Sequence, residues 1–190
     1  DTSNPDVGKT FANNEYVEVI FLSLDNADGW IELVNHCATK NMDIVINFAA
    51  RSGEAIKKFA GTLIESLEEL QMALITFWLI NRQRDSVELL KEYMNVVPGE
   101  LHVVRNTFYG EAHKFDLFNK SNIKIEAEKR GATIDLPDLA DRVADDLYSS
   151  RLSIAKAAVE MQLGSRAELK RWRSLGWQMF DALGVGKDVA

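Results

Sequence analysis

Three asparagines close apolar or β-branched runs in the first two thirds of this chain: Asn47 after Ile44-Val45-Ile46, Asn81 after Phe77-Trp78-Leu79-Ile80, and Asn106 after Val103-Val104-Arg105. An amide side chain donates and accepts at once, and open α/β sheets gather ligands at the carboxyl ends of their strands. The stretch Asn81-Arg82-Gln83-Arg84-Asp85-Ser86 adds cations beside one of these ends. The spacing therefore points to a nucleotide-type crevice. The competing explanation is that Asn, Asp and Ser here only cap helices and turns. That explanation suffices for any single position, whereas three successive strands ending in Asn favour the crevice.

Other candidate chemistry is weaker. His36, His102 and His113 have no second ligand at helical or hairpin spacing, so no metal site is expected, because a tetrahedral site needs convergent N or S ligands. Cys37 falls on the apolar face of a predicted helix and reads as a small core residue rather than a nucleophile. There is no G-x-S-x-G elbow, which removes support for hydrolase chemistry of that type. Gly8-Lys9-Thr10 imitates the end of a phosphate-binding loop, but Ser3 stands where the first glycine belongs and no strand precedes it. We read that triplet as coincidence.

A basic cluster, Arg166, Lys170, Arg171 and Arg173, lies in the final helical segment. Arg166, Lys170 and Arg173 fall at i, i+4 and i+7, on a face away from Leu169, Trp172 and Met179. This is the best local candidate for a DNA- or partner-binding surface, against the plainer reading of a solvated helix face balanced by Glu168. Composition sharpens the point. Of 190 residues, 29 are acidic and 22 basic, a formal net charge of −7, so the average surface repels nucleic acid and anionic lipid. Any DNA contact must then be local.

The single cysteine excludes an internal disulfide framework and a Cys-rich zinc site, and a reducing, cytoplasmic location is expected. No apolar run approaches the roughly 18 residues of a membrane span, so no membrane partner is expected. The opening residues are polar, lack an initiator Met and lack a secretion signal; they read as a cut edge.

The elements that must position these residues alternate between β-branched runs and helical patterns, the signature of a mostly parallel α/β sheet flanked by helices. Strands are predicted at 16–22, 43–48, 73–80 and 101–105, as apolar runs of the kind helices bury on both sides. Between them one helix carries Trp30, Leu33, Val34 and Cys37, and a second carries Ile56, Phe59, Ala60, Leu63, Ile64, Leu67 and Leu70 at i, i+3, i+4, i+7 spacing. A third starts at Asp85 as N-cap and stops at Pro98-Gly99. Right-handed crossovers would place the loops after the strands on one edge of the sheet. After Asn106 strands are expected to stop. A helix beginning near Pro137 with Leu139, Val143 and Leu147 inward is followed by one carrying Ile154, Ala155, Ala158 and Val159. The last helix is expected to start with Ser165-Arg166-Ala167-Glu168 as a capping box and to end at Gly184. Residues 1–110 would thus form the sheet domain and 111–190 a helical region packed on it.

Several of these segments carry a family resemblance. Asp1-Thr2-Ser3-Asn4-Pro5-Asp6-Val7 resembles the D-x-x-N-P-D-V segment after the second strand of ParA/MinD-type P-loop ATPases, in the plasmid subgroup that contains the StbB, MobD and TraL proteins. Asp43-Ile44-Val45-Ile46-Asn47-Phe48-Ala49-Ala50 is similar to that subgroup's Walker B strand. The stretches 77–86 and 104–110 are similar to its later strand ends. The resemblance implies a P-loop NTPase-like fold, with ATP and Mg2+ as cofactors in the full-length family member. By the same resemblance Asp1 is the switch carboxylate that orients the attacking water, Asn106 reads the adenine edge, and Asn47 occupies the Walker B position. Arg82 joins Asn47 and Asn106 in the implied nucleotide site. An amide at Asn47 holds a metal-bound water less strongly than a carboxylate, implying slow or regulatory hydrolysis.

The family's first strand, phosphate-binding loop and following helix and strand, a unit of roughly 30 residues or more, are absent before Asp1. The expectation is a fragment of such an ATPase: a nucleotide-dependent switch in plasmid partition, stability or conjugative mobilisation. It would form a nucleotide-bridged homodimer, engage an adaptor or relaxosome protein, and bind DNA nonspecifically. The alternative is a non-enzymatic interaction module of the same fold that has lost its nucleotide.

Overall fold

The computed structural model describes residues 6–184 apart from 13, 15, 41 and 49–51. The chain divides into two compact units, one of residues 1–76 and 88–100, the other of 77–87 and 101–190.

In the first unit the short helix α1 (Asp6–Phe11) is followed by α2 (Ala27–Thr39), whose N-cap Asn26 accepts a hydrogen bond from Gly29 N at 3.0 Å. That bond satisfies one of the donors a helix start leaves unpaired. Gly29 is required on a second count, because a Cβ there would meet the carbonyl oxygen of Ser23. The face predicted for α2 is the one it buries, with Trp30, Leu33 and Cys37 all inside. The second predicted helix forms as two, α3 (Gly53–Phe59) and α4 (Gly61–Leu70). The break is slight: Ala60 keeps helical dihedrals and its carbonyl still accepts from Ile64 N at 3.0 Å. The next residue, Gly61, is a poor helix former at which a pause costs little. Trp30, Leu33, Cys37, Ile56, Ala60, Leu63 and Val97 form the core of this unit.

Two of the four predicted strands are corrected. Among the described residues neither 16–22 nor 43–48 is a strand. In 43–48 alternate residues lean on the core, Ile44, Ile46 and Phe48 packing against it while Val45 is 93% exposed; in 16–22 only Leu22 packs against it, and Phe21 is 50% exposed. Alternation at a period of two specifies an extended, half-buried backbone. A strand also needs a neighbour to take its hydrogen bonds.

The second unit carries the sheet, which has three strands in the order β1-β2-β3 and is parallel. β1 (Ile75–Ile80) and β2 (Glu100–Asn106) lie where strands are predicted, β1 two residues shorter at its start. Between them α5 (Arg84–Met94) begins one residue before Asp85, so this aspartate sits in the first turn, where its negative charge favours the positive end of the helix dipole. β3 (Thr133–Leu136) overturns the expectation that strands end at Asn106. It pairs with β2 in the register Val103↔Thr133, Val104↔Ile134, Arg105↔Asp135 and Asn106↔Leu136. Gly131 permits the approach, because a Cβ there would strike the carbonyl of Leu101.

Short helices α6 (Asp116–Asn119) and α7 (Asn122–Glu128) link the strands, with Phe115, Phe118 and Ala127 buried. Then come α8 (Asp141–Ser150), α9 (Ile154–Glu160) and α10 (Leu163–Leu183). Val143, Ala157, Met161 and Leu169 form their core. Pro137 does not open a helix. It lies in the connection to α8, and its carbonyl accepts the Trp172 indole N–H at 2.6 Å. The capping box is corrected too: α10 starts at Leu163, so Ser165 is buried inside its first turn rather than capping it. Gly184 does terminate it, at φ +74°.

Candidate functional site

The carboxyl ends of the strands in the second unit converge on two turns. After β1, Asn81 Oδ1 accepts from Gln83 N at 2.8 Å, and the Asn81 carbonyl accepts from Ser86 Oγ at 3.2 Å. After β2, Asn106 Oδ1 accepts from Phe108 N at 3.2 Å and starts a single 3-10 turn, Thr107–Tyr109. Thr107 Oγ1 donates to the Leu136 carbonyl at 2.6 Å, fixing this turn to the end of β3. Arg82 Nη1 reaches the Tyr109 carbonyl at 3.4 Å. Arg82 and Asn106 thus lie on two strand-end turns joined by this bond.

Beneath the turn, the register places Arg105 opposite Asp135. The guanidinium donates through Nε and Nη2 to the two carboxylate oxygens at 2.6 and 2.9 Å, and through Nη1 to Asn119 Oδ1 at 3.1 Å. Such a fork fixes direction as well as charge. Above it Phe108 (63% exposed) and Tyr109 (46%) meet edge to face at 5.2 Å. These aromatics were not among the predicted site residues, although Phe-Tyr-Gly directly after the Asn106-Thr107 turn is a legible signal for an exposed pair. The arrangement offers a cation, an amide N–H2 and two ring surfaces to a flat, polar ligand. It also realises the capping role weighed against that use, because the amide oxygens of Asn81 and Asn106 are already accepting.

The other predicted residues belong to other segments. Asn47 belongs to the first unit, where it is exposed on the extended 43–48 segment. Asp1 lies outside the described residues. Gly8-Lys9-Thr10 lies inside α1, with Gly8 against the half-exposed Phe21 ring. His102 is 3% exposed, accepts from Ala132 N through Nδ1 at 3.0 Å and stacks on Phe77 at 5.3 Å, which makes it a core histidine. Burial pushes the Cys37 thiol up, away from the thiolate. Among the described residues no group of three or more His, Cys, Asp or Glu side chains converges as a metal site.

On α10 the four cations separate. Arg171 is held by Glu168 through two bonds of 2.7 and 2.6 Å, and this pairing keeps the Glu168 carboxyl below its ordinary range and the Arg171 guanidinium above its own. Arg166 gives one guanidinium nitrogen to the Val159 carbonyl at 3.2 Å, closing the end of α9. Lys170 and Arg173 have no protein partner among the described residues.

These features define an α/β protein with a small parallel sheet, a polar strand-end turn and a basic face on its last helix. No family profile matches the sequence, and no solved structure matches it. Over 177 residues, 92% of this chain and 77% of its relative, it is 50% identical to Protein MobD of Acidithiobacillus ferrooxidans. The chain belongs to the MobD family.

Proposed function

We propose that this chain acts in plasmid mobilisation, as a nucleotide-responsive switch that engages a relaxosome or adaptor protein and DNA. The observation that carries the mobilisation role is 50% identity to MobD across 92% of the chain. The switch rests on the ParA/MinD-like segments and is supported by Arg82 and Asn106 lying on two strand-end turns that one hydrogen bond joins. In this reading the fold is that of a P-loop NTPase, and Asn106 meets the adenine edge through its remaining N–H2 group. Arg82 and Asn47 serve the nucleotide, Asp1 orients water, and Mg-ATP bridges a homodimer. Lys170 and Arg173, with Arg166 beside them, form the DNA surface; Arg171 contributes less, since its charge is already spent on Glu168.

A second reading is favoured by one bond. Because the Asn106 oxygen already accepts from Phe108 N, capping the turn accounts for this residue without a nucleotide, as suits an interaction module. Calorimetric titration with Mg-ATP separates the two. Saturable heat, reduced by Asn106→Ala, supports the switch. A flat titration up to millimolar Mg-ATP leaves the interaction module.

A further inference from the structure

The chain has four tryptophans. Three donate their indole N–H to a backbone carbonyl within their own unit: Trp30 to Leu24 at 2.8 Å, Trp78 to Ser86 at 3.3 Å and Trp172 to Pro137 at 2.6 Å. Trp177 differs. It is 60% exposed, and among the described residues its indole N–H has no protein acceptor. Large aromatics carry enough apolar area that a fully presented indole is a feature of binding surfaces more than of solvated ones.

Its position on α10 completes a row. Arg166, Lys170, Arg173 and Trp177 fall at i, i+4, i+7 and i+11, on one helix face rising about 16 Å along the axis. Phe180, three residues beyond Trp177, packs edge-on against Phe77 at 5.6 Å and marks the inner border of this face; Lys170 and Trp177 are exposed, whereas Arg166 and Arg173 are half-buried. Lys170 and Arg173 make no ion pair with the described residues, while Asp181, one turn beyond Trp177, marks the acidic end of the row. Two cations without ion-pair partners, Lys170 and Arg173, followed by a 60% exposed ring, on a chain of net charge −7, complement phosphates at one end and a base at the other.

We propose that this face takes single-stranded DNA, with Lys170 and Arg173 on phosphates and the Trp177 ring stacked on an unpaired base. A duplex keeps its base faces stacked inside and offers the indole nothing, whereas every base of a single strand has an open face. The choice of DNA rests on the mobilisation reading above.

The test is fluorescence anisotropy of a labelled single-stranded oligonucleotide and of the matching duplex, with the full chain. The expected result is tighter binding of the single strand. Trp177→Ala should weaken it on the order of tenfold or more, Trp177→Phe should keep most of the affinity, and duplex binding should not respond to either change. Lys170→Ala with Arg173→Ala should lower the salt slope of single-strand binding by about 1.4. Circular dichroism melts check that each substitution leaves the fold intact. If Trp177→Ala leaves single-strand affinity within about twofold while the double lysine and arginine change abolishes duplex binding, the basic face is a DNA surface and the single-strand proposal is overturned. Binding of neither DNA at low salt overturns both, and tighter binding of single-stranded RNA overturns the choice of DNA.

Discussion

The two units use extended chain in opposite ways. In the first, residues 43–48 lay Ile44, Ile46 and Phe48 on the core around Trp30 and are not a strand. In the second, Thr133–Leu136 is only four residues long yet pairs in fixed register with β2. Alternation and β-branching are present in both, so neither is what makes a strand. The difference is the neighbour. β2 offers a buried, aligned edge, closed by Gly131 and locked by the Arg105–Asp135 fork. The extended segment at 43–48 is held by side-chain packing.

Replacing Trp30 should break the first unit hardest. The residue is 1% exposed, donates to the Leu24 carbonyl at 2.8 Å and lies 5.8 Å from the Phe48 ring. Trp30→Ala should cost about 3–5 kcal/mol in chemical denaturation. A loss under about 1 kcal/mol would show that packing around this ring does not hold the extended segments.

In the second unit, Arg105→Ala probes the fork that fixes the register. Arg105 keeps 15% and Asp135 42% of its side chain exposed, so the loss should be smaller, about 1–2 kcal/mol. Arg105→Lys should recover little of it, because an ammonium cannot span both carboxylate oxygens. Full recovery by lysine would make the contact one of charge alone and the register a matter of backbone pairing.

The smallest effect is expected at the surface of α10. Glu168 is held below its ordinary value of 4.5 by Arg171 in the folded chain, so its contribution is present above that value and is lost as pH falls below it. In Glu168→Gln the melting temperature should drop slightly at neutral pH, and the difference from the parent should close in acid and in about 1 M salt. A difference independent of pH would assign the effect to local helix preference.

Much of the helical framework was legible. The apolar face of α2 and the stripe through α3 and α4 follow from spacing that a helix must obey whatever surrounds it; α5 ends at Met94, short of the predicted stop at Pro98-Gly99. β3 was not legible. Thr133-Ile134-Asp135-Leu136 is too short to outweigh the helical patterns on either side, and only pairing with β2 makes it a strand. Ser165 misled for a related reason: Ser-x-x-Glu is a local cap signature, but its side chain is buried and the helix runs three residues further back, to Gln162. At the candidate site, the strand-end asparagines were found by type and position. Phe108 and Tyr109 were missed although their place directly after a strand-end turn signals exposure, and Trp177 was missed because exposure cannot be read from an aromatic's identity within a helix.

By itself, then, the sequence determined an acidic α/β chain whose polar residues gather after strands and whose basic residues gather on the last helix, because charge, periodicity and turn chemistry are local properties. Only the tertiary structure decided which extended segments became strands, which cations were already spent on Glu168 and Val159, and which tryptophan was left facing water. Those outcomes depend on what lies opposite each residue, and that is set by long-range packing.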